Sequence, residues 1–268
     1  MTALRLTPAL SLGLGSRRSA RLVERNIYVY RHQWMMLLSG FFEPFFYLVG
    51  IGFGLGALVG TVPGPDGQPI PYQLFVAPAL LASSAMNGAI AESTFNFFFK
   101  LNYSKTFAAI LSTPLSPGDI ALGELAWALI RCGLYAIGFM GVMLALGLFV
   151  SPWVILAVPG AILVGLAFAA VGMAATTFMK TWQDFDLIQL VILPLFLFSG
   201  TFYPIDAYPP ALQVIVRLTP LYQGVDLLRS LTVGAISPAL VVPIAYLSVM
   251  GIVGLAVASR RIDRLLLK

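Results

Sequence analysis

KLNYSKTFAAILSTPLSPGDIALGE, residues 100–124, is a polar island between two long apolar runs. Residues 71–99 precede it with Glu92 as their one charge, and residues 125–150 follow it with only Arg131. A helix needs about 20 apolar residues to cross a hydrocarbon core of about 30 Å, so both flanks are long enough. The island is then a loop between two membrane helices. The whole chain agrees: of 268 residues, 59% are hydrophobic and 10% charged, with a mean hydropathy of +0.91. A soluble domain carries about 25% charged residues. The fold class expected is all-α, a polytopic membrane protein.

Working outward, six spans fit the apolar pattern: about 33–60, 71–99, 118–150, 153–178, 184–201 and 238–258. The loop 61–70, TVPGPDGQPI, reads as a turn-rich connection. Gly52, Gly56 and Gly60 recur every four residues, which lets another helix approach closely. The fifth span contains Pro194 and is expected to bend or break there. Residues 202–236 hold no apolar run of spanning length and are broken by Pro204, Pro209, Pro210 and Pro220. Two short amphipathic helices joined at Thr219-Pro220 fit better, dipping into the outer leaflet or capping the bundle.

Residues 1–15 read as a flexible N-terminus without a cleavable signal peptide. Residues 16–31 read as an amphipathic helix at about 100° per residue. Arg17, Arg18, Arg21, Glu24, Arg25 and Arg31 fall on one face, and Ala20, Val23, Ile27 and Tyr30 on the other. Such a helix lies in a headgroup layer; the same arginines would also serve as a plain topological anchor. The tail 259–268 is basic.

Charge sets the orientation. With six spans, the N-terminus, the island, the Lys180 loop and the C-terminus share a side carrying most Lys and Arg, whereas the other side holds only Arg217 and Arg229. The positive-inside rule puts both termini in the cytoplasm and accounts for the net charge of +5 without a nucleic-acid partner. Membrane lipid is the expected contact.

Enzyme signatures are sparse. No GxxxxGK[ST] is present to cradle nucleotide phosphates, so no cofactor is expected in this chain. His32, the one histidine, reads as a boundary residue beside Trp34, and Cys132 as a small buried hydrophobe. Asp184-Phe-Asp186 spells DxD, which can hold a metal and a sugar nucleotide, or can cap the helix that follows. Neither this nor any other residue is assigned as catalytic or metal-binding. Glu43, Glu92, Glu124 and Arg131 are intramembrane charges, which are costly and face a partner or a cavity. Glu92, Glu124 and Arg131 form a candidate cluster, either as a structural ion pair or in transport. Phe41, Phe42, Phe45 and Phe46 make an aromatic stripe, either a cargo path or packing.

Within the island, Lys105 to Leu111 can form two helical turns, and Ser112-Thr113-Pro114 stops them. Ser116-Pro117-Gly118-Asp119 then starts the next span. The result is a short helix slung between two spans, either a bracket for a soluble partner or an ordinary loop.

Three stretches resemble the ABC-2 type permeases, the membrane subunits of a class of ATP-driven exporters: LSTPLSPGDIALGE (111–124), FLFSGTFYPIDAYPPALQ (196–213) and LTPLYQGVDLLRSLTVG (218–234). FGLG at 53–56 adds to them. The likeness covers about 16–258 and runs to the nodulation-factor (lipo-oligosaccharide) exporters, then to the daunorubicin-resistance permeases. It implies a transmembrane domain over 33–258, with an interface helix at 16–31 carrying Arg17, Arg18, Arg21 and Arg25. It implies a coupling helix at about 104–113 that docks on a separate ATPase through Lys105, Thr106, Phe107, Ile110, Leu111 and Pro114. It implies extracellular re-entrant helices at about 204–234. A nucleotide-binding ATPase subunit holding ATP and Mg, and a second copy of this chain or a related permease, would complete the exporter. Many relatives carry an acidic residue after the Thr-aromatic pair; here Ala108 follows Thr106-Phe107, which shifts the expected docking to Phe107 and Ile110. The alternatives are a membrane-embedded transferase acting on lipid-linked sugars through Asp184 and Asp186, and a channel or scaffold.

Overall fold

The computed structural model describes residues 12–31, 42 and 44–266, except for the side chains of residues 12–17. Helix α1 spans Leu12–Tyr30, so it begins inside the stretch expected to be flexible. Helix α2, Pro44–Val59, is apolar but shorter than a span. His32 and, of the first predicted span, residues 33–41 and 43 lie outside the described residues.

The 61–70 connection is more ordered than its turn-rich composition suggests. β1 (Thr61–Pro63) and β2 (Pro69–Pro71) pair antiparallel, with Val62 opposite Ile70. Both of these side chains are buried. The fold is therefore helical with one two-stranded hairpin. In a two-stranded ribbon every strand is an edge, where proline is tolerated.

Among the described residues, four helices are long and apolar enough to cross a membrane: α3 (Tyr72–Tyr103), α5 (Pro117–Ala145), α6 (Pro152–Thr176) and α10 (Pro238–Leu266). Between them lie α4 (Thr106–Leu111), α7 (Asp184–Phe198), α8 (Pro210–Leu218) and α9 (Pro220–Val233). At 1.5 Å per residue α3 is about 48 Å long and outruns the hydrocarbon core. Its last turns are widened: Glu92–Asn96 and Phe99–Tyr103 are π-helical. The bond from Ser104 N–H to Phe99 O, 2.9 Å, closes the second of these turns.

The helix ends follow local chemistry. Ser116 and Asp119 form a reciprocal capping box, with Pro117 in the first turn of α5. The other end of α5 closes on Gly147 at φ +70°, with Leu148 N–H reaching Met143 O at 2.9 Å. Thr219 is extended ahead of Pro220 and separates α8 from α9. Helix α7 continues through Pro194 to Phe198 without breaking. One expectation needs correction: the basic tail is no separate segment, because residues 259–266 continue α10.

Helix α6 is the hub and touches α3, α5, α9 and α10. Its glycines admit one neighbour each. A Cβ at Gly160 would meet Leu228 of α9, at Gly165 it would meet Cys132 of α5, and at Gly172 it would overlap Ser93 of α3. Cys132 is buried there and donates to Ala161 O at 3.4 Å. Helix α10 returns the favour with Gly254, whose Cβ would lie 2.8 Å from Val171 N. This is close backbone approach through small residues, the packing that membranes favour. Of the 52/56/60 glycines, Gly56 alone receives a neighbouring helix, through Gln73 of α3.

Gly254→Val should therefore push α10 off α6 and cost about 1–3 kcal/mol, as overpacking does. Gly141 has open space around it, so Gly141→Val should leave the melting temperature in detergent unchanged while Gly254→Val lowers it.

Candidate functional site

The polar groups of the apolar helices gather where α1 crosses α3 and α5. On α3, Glu92, Asn96 and Lys100 follow one another four residues apart. On α5, Glu124 and Arg131 stand two turns apart. The structure brings Glu92, Glu124 and Arg131 into one region but sorts them into two ion pairs. Arg131 bonds Glu92, and Lys100 Nζ bonds Glu124 Oε2 at 2.6 Å. Both carboxylates are almost fully buried.

Neutral groups join the pairs. Asn96 Nδ2 donates to Glu92 Oε2 at 2.7 Å and to Tyr30 Oη at 3.0 Å. Asn26 accepts from Lys100 Nζ at 3.4 Å and donates to Glu124 Oε1 at 3.5 Å. Arg131 also donates to Tyr135 Oη at 2.8 Å and lies over the Tyr30 ring, 5.3 Å from its centre. Tyr30 packs against Trp127 at 5.2 Å. Burial, with Glu92 adding to it, pushes the Tyr30 hydroxyl up to about 12. Helix α1 is thus stapled to α3 and α5 along Asn26 and Tyr30, with Ser19 and Leu22 packed on Gly123 of α5.

That contact face differs from the expected apolar face. Ser19, Leu22 and Asn26 are buried, while Ile27, Tyr28 and Val29 are exposed. Arg18, Arg21 and Arg25 are exposed as expected. Arg21 pairs with Glu24 at 2.9 Å on the surface, a contact of little stabilising value. The Arg17 side chain lies outside the described residues, as do Glu43 and Phe41.

Helix α4 hangs from the end of α3. Lys105 precedes it at φ +49°, the one left-handed non-glycine among the described residues. The Ser104 and Thr106 hydroxyls pair at 2.7 Å across that corner. Phe107 is fully buried and packs on Phe97, ring centres 4.9 Å apart. The expected docking through the Phe107 side chain is therefore corrected: it anchors α4 to its own chain. The outward surface is Ala108, Ala109 and the turn Ser112–Pro114, flanked by exposed Lys105. Thr106, Ile110 and Leu111 are half-buried.

An aromatic cluster ties the same end of α3 to α7. Phe95 stacks on Phe185 at 4.2 Å. Phe98 meets Trp182 and Phe185 edge-on at 5.5 and 5.2 Å. Tyr103 lies 5.5 Å from Trp182. Asp184 accepts the backbone N–H groups of Lys180 and Thr181 at 2.7 and 3.0 Å. It pins the turn before α7 instead of capping the helix's own amides. Exposed Phe42, ahead of α2, stacks on exposed Phe46 of α2 at 6.0 Å, and Phe45 is half-buried.

From the sequence, Arg229 serves only as a charge in the orientation count. It is buried on α9, bonding Phe75 O at 3.0 Å and Gly200 O at 2.7 Å, with its guanidinium 3.7 Å from the centre of the Phe75 ring. A lone arginine inside VDLLRSL is the one signal that pointed to it.

Residues 20–233 match the ABC-2 type transporter family. The chain belongs to that family. It is 38% identical to Nodulation protein J of Rhizobium leguminosarum bv. trifolii over 201 residues, 74% of each chain. It is 36% identical to Nodulation protein J of Rhizobium meliloti (strain 1021), again over 74% of each chain. The Inner membrane transport permease YadH of Escherichia coli (strain K12) is 27% identical over 65% of this chain and 66% of its own length. No solved structure matches. As an ABC-2 permease the chain is a multi-pass membrane transport subunit, and the island lies well inside the matched region.

Removing one member of a buried pair strands the other. Arg131→Met should destabilise the protein by about 3–5 kcal/mol, whereas Glu92→Gln with Arg131→Met should cost clearly less. Melting curves of the two single variants and the double variant in detergent give the coupling.

Proposed function

We propose that this chain is the permease subunit of an ATP-driven exporter, with α4 as its coupling helix. The observation that carries the reading is α4 itself: a short helix held rigidly between the ends of two long apolar helices, with small residues facing outward. The permease names of relatives support it. A separate nucleotide-binding ATPase binds and hydrolyses ATP with Mg, and this chain performs no catalysis of its own. Closure of the ATPase pushes α4. The push passes into α3 through Phe107 and Phe97, into α7 through the aromatic cluster, and into α1 and α5 through the ion-pair staple.

In this reading α2 and α7 complete six spans, both termini are cytoplasmic, and the chain sits in the inner membrane. Helices α8 and α9 are the re-entrant pair at the outer face. A second copy, or a related permease, completes the transmembrane unit. The cargo is amphipathic: a lipo-oligosaccharide, a lipid-linked glycan or a drug, taken past Phe42, Phe45 and Phe46. The transferase alternative loses its main support, since the Asp184 carboxylate is engaged with backbone amides.

Ala109→Arg tests the docking. The surface position leaves the fold intact, so the purified permease should melt normally. Stimulation of the co-purified ATPase should fall about tenfold or more, equal to about 1.4 kcal/mol of lost coupling. Unchanged stimulation sinks the assignment of α4, and the absence of any associating ATPase sinks the exporter reading.

A further inference from the structure

The staple and the two π turns occupy the same stretch of α3, and the coincidence has a geometric reason. In a regular α-helix, residues four apart drift about 40° around the axis at each step, because a turn holds 3.6 residues. Glu92, Asn96 and Lys100 would then spiral away from α1 and α5. Turns closed by i→i+5 bonds are wider, so residues four apart stay in line. The Glu92–Asn96 and Phe99–Tyr103 turns thereby keep all three side chains facing Tyr30, Asn26 and Glu124.

The widened turn is held from the side. At the end of that turn the Phe97 N–H bonds Thr94 O, three residues back, so the widened stretch closes with a tight i→i−3 contact and Ser93 O is left without this amide. Ser93 O is taken by the Thr176 hydroxyl of α6 at 3.1 Å. Gly172 makes room for the Ser93 side chain. Meanwhile the polar network is incompletely satisfied. Glu92 Oε1, Trp127 Nε1 and Arg131 Nε are buried without a partner. A buried network with open valences has capacity for a second arrangement.

We infer that the α4-proximal end of α3 is a register switch, which passes between this π-widened form and a regular α-helical form as the partner ATPase cycles. The inference rests on the exporter reading and names the moving part within it. Loss of one π turn advances everything beyond it by about 100° and 1.5 Å relative to Glu92. Lys100 then swings off Glu124, Asn96 leaves Tyr30, and the base of α4 rotates under Phe107. A rigid-body push on α4 would thus be converted into release of α1. Asn96 is the positioning residue, since it hydrogen-bonds both Glu92 of the ion pair and Tyr30 of α1.

The experiment is hydrogen exchange on the permease with its co-purified ATPase in lipid nanodiscs, without nucleotide and trapped with ATP and vanadate. The expected result is that amides of residues 92–103 change their exchange rate by about tenfold or more between the two states, while residues 72–90 of the same helix do not. Thr176→Val removes the hydroxyl that holds Ser93 O, and it should bring the nucleotide-free pattern of 92–103 toward the trapped one. Identical exchange over 92–103 in both states of an intact, ATP-hydrolysing complex overturns the switch and leaves the exporter reading standing. A Thr176→Val protein that folds, binds the ATPase and keeps the wild-type pattern in both states also overturns it. If no ATPase associates with the chain, the exporter reading falls and the switch with it.

Discussion

Two buried ion pairs, Glu92 with Arg131 and Lys100 with Glu124, constrain the rest of this end of the molecule. Charges within apolar helices persist when each has a partner and the partners are themselves held. Here the partners sit on different helices, so satisfying them fixes the azimuth of α3 and α5 relative to one another. Asn26 and Tyr30 then draw α1 into the same set. An amphipathic helix that could have floated in the headgroup layer is instead a fixed strut. Its exposed arginines are left on the surface, and the face toward the protein is set by hydrogen bonds as much as by apolar contact.

The staple needs a firm backing, and α6 supplies it. Helix α6 offers glycine at three heights, to α9, α5 and α3. Its far side takes Gly254 of α10, and Arg261 bonds Thr177 O at 3.1 Å beside the Phe178 ring. A cation at a helix C-terminus complements both the free carbonyls and the dipole. The opposite end of α3, near Phe75, has its own clamp in Arg229. The helices least held by this frame are α2 and α7, whose apolar side chains are largely exposed. Helix α7 is attached at its first turn, through Phe185 and Trp182, and near its other end, through Phe196 against Tyr47 and Phe202. The frame is therefore rigid where the polar groups are and loosely engaged along two apolar helices.

Much of this was legible in the sequence. Apolar length gave the four long helices, because a spanning helix advertises itself by composition alone. Ser116-Pro117 with Asp119 announced the start of α5, and Thr219-Pro220 the junction of α8 and α9, since caps and prolines act locally. Long-range partners left weaker traces. Lys100 read as the end of a span, yet it is a member of the staple. Asn26 and Asn96 carried no charge to mark them, and Tyr30 read as part of a lipid-facing stripe. The hairpin was hidden by its own prolines. The two π turns of α3 left no compositional signal: they bring residues four apart to partners on two other helices, and those partners exist only in the folded bundle.

The island changes meaning in that light. Its most apolar residue, Phe107, invites reading as the group that docks on a partner, and Ala108 as a missing acidic contact. Burial of Phe107 on Phe97 reverses the assignment. The aromatic ring is the inner anchor, and what faces outward is small. A surface of Ala108, Ala109 and a Ser-Thr-Pro turn offers shape with few specific polar anchors beyond Lys105. Such a surface can be gripped in a groove and displaced as a unit, because the strength of the connection lies behind it: in the ring under α4, the aromatic cluster beside it, and the ion pairs that tie α3 to its neighbours. In the proposed exporter, coupling through this bracket is steric at the contact and electrostatic one layer further in.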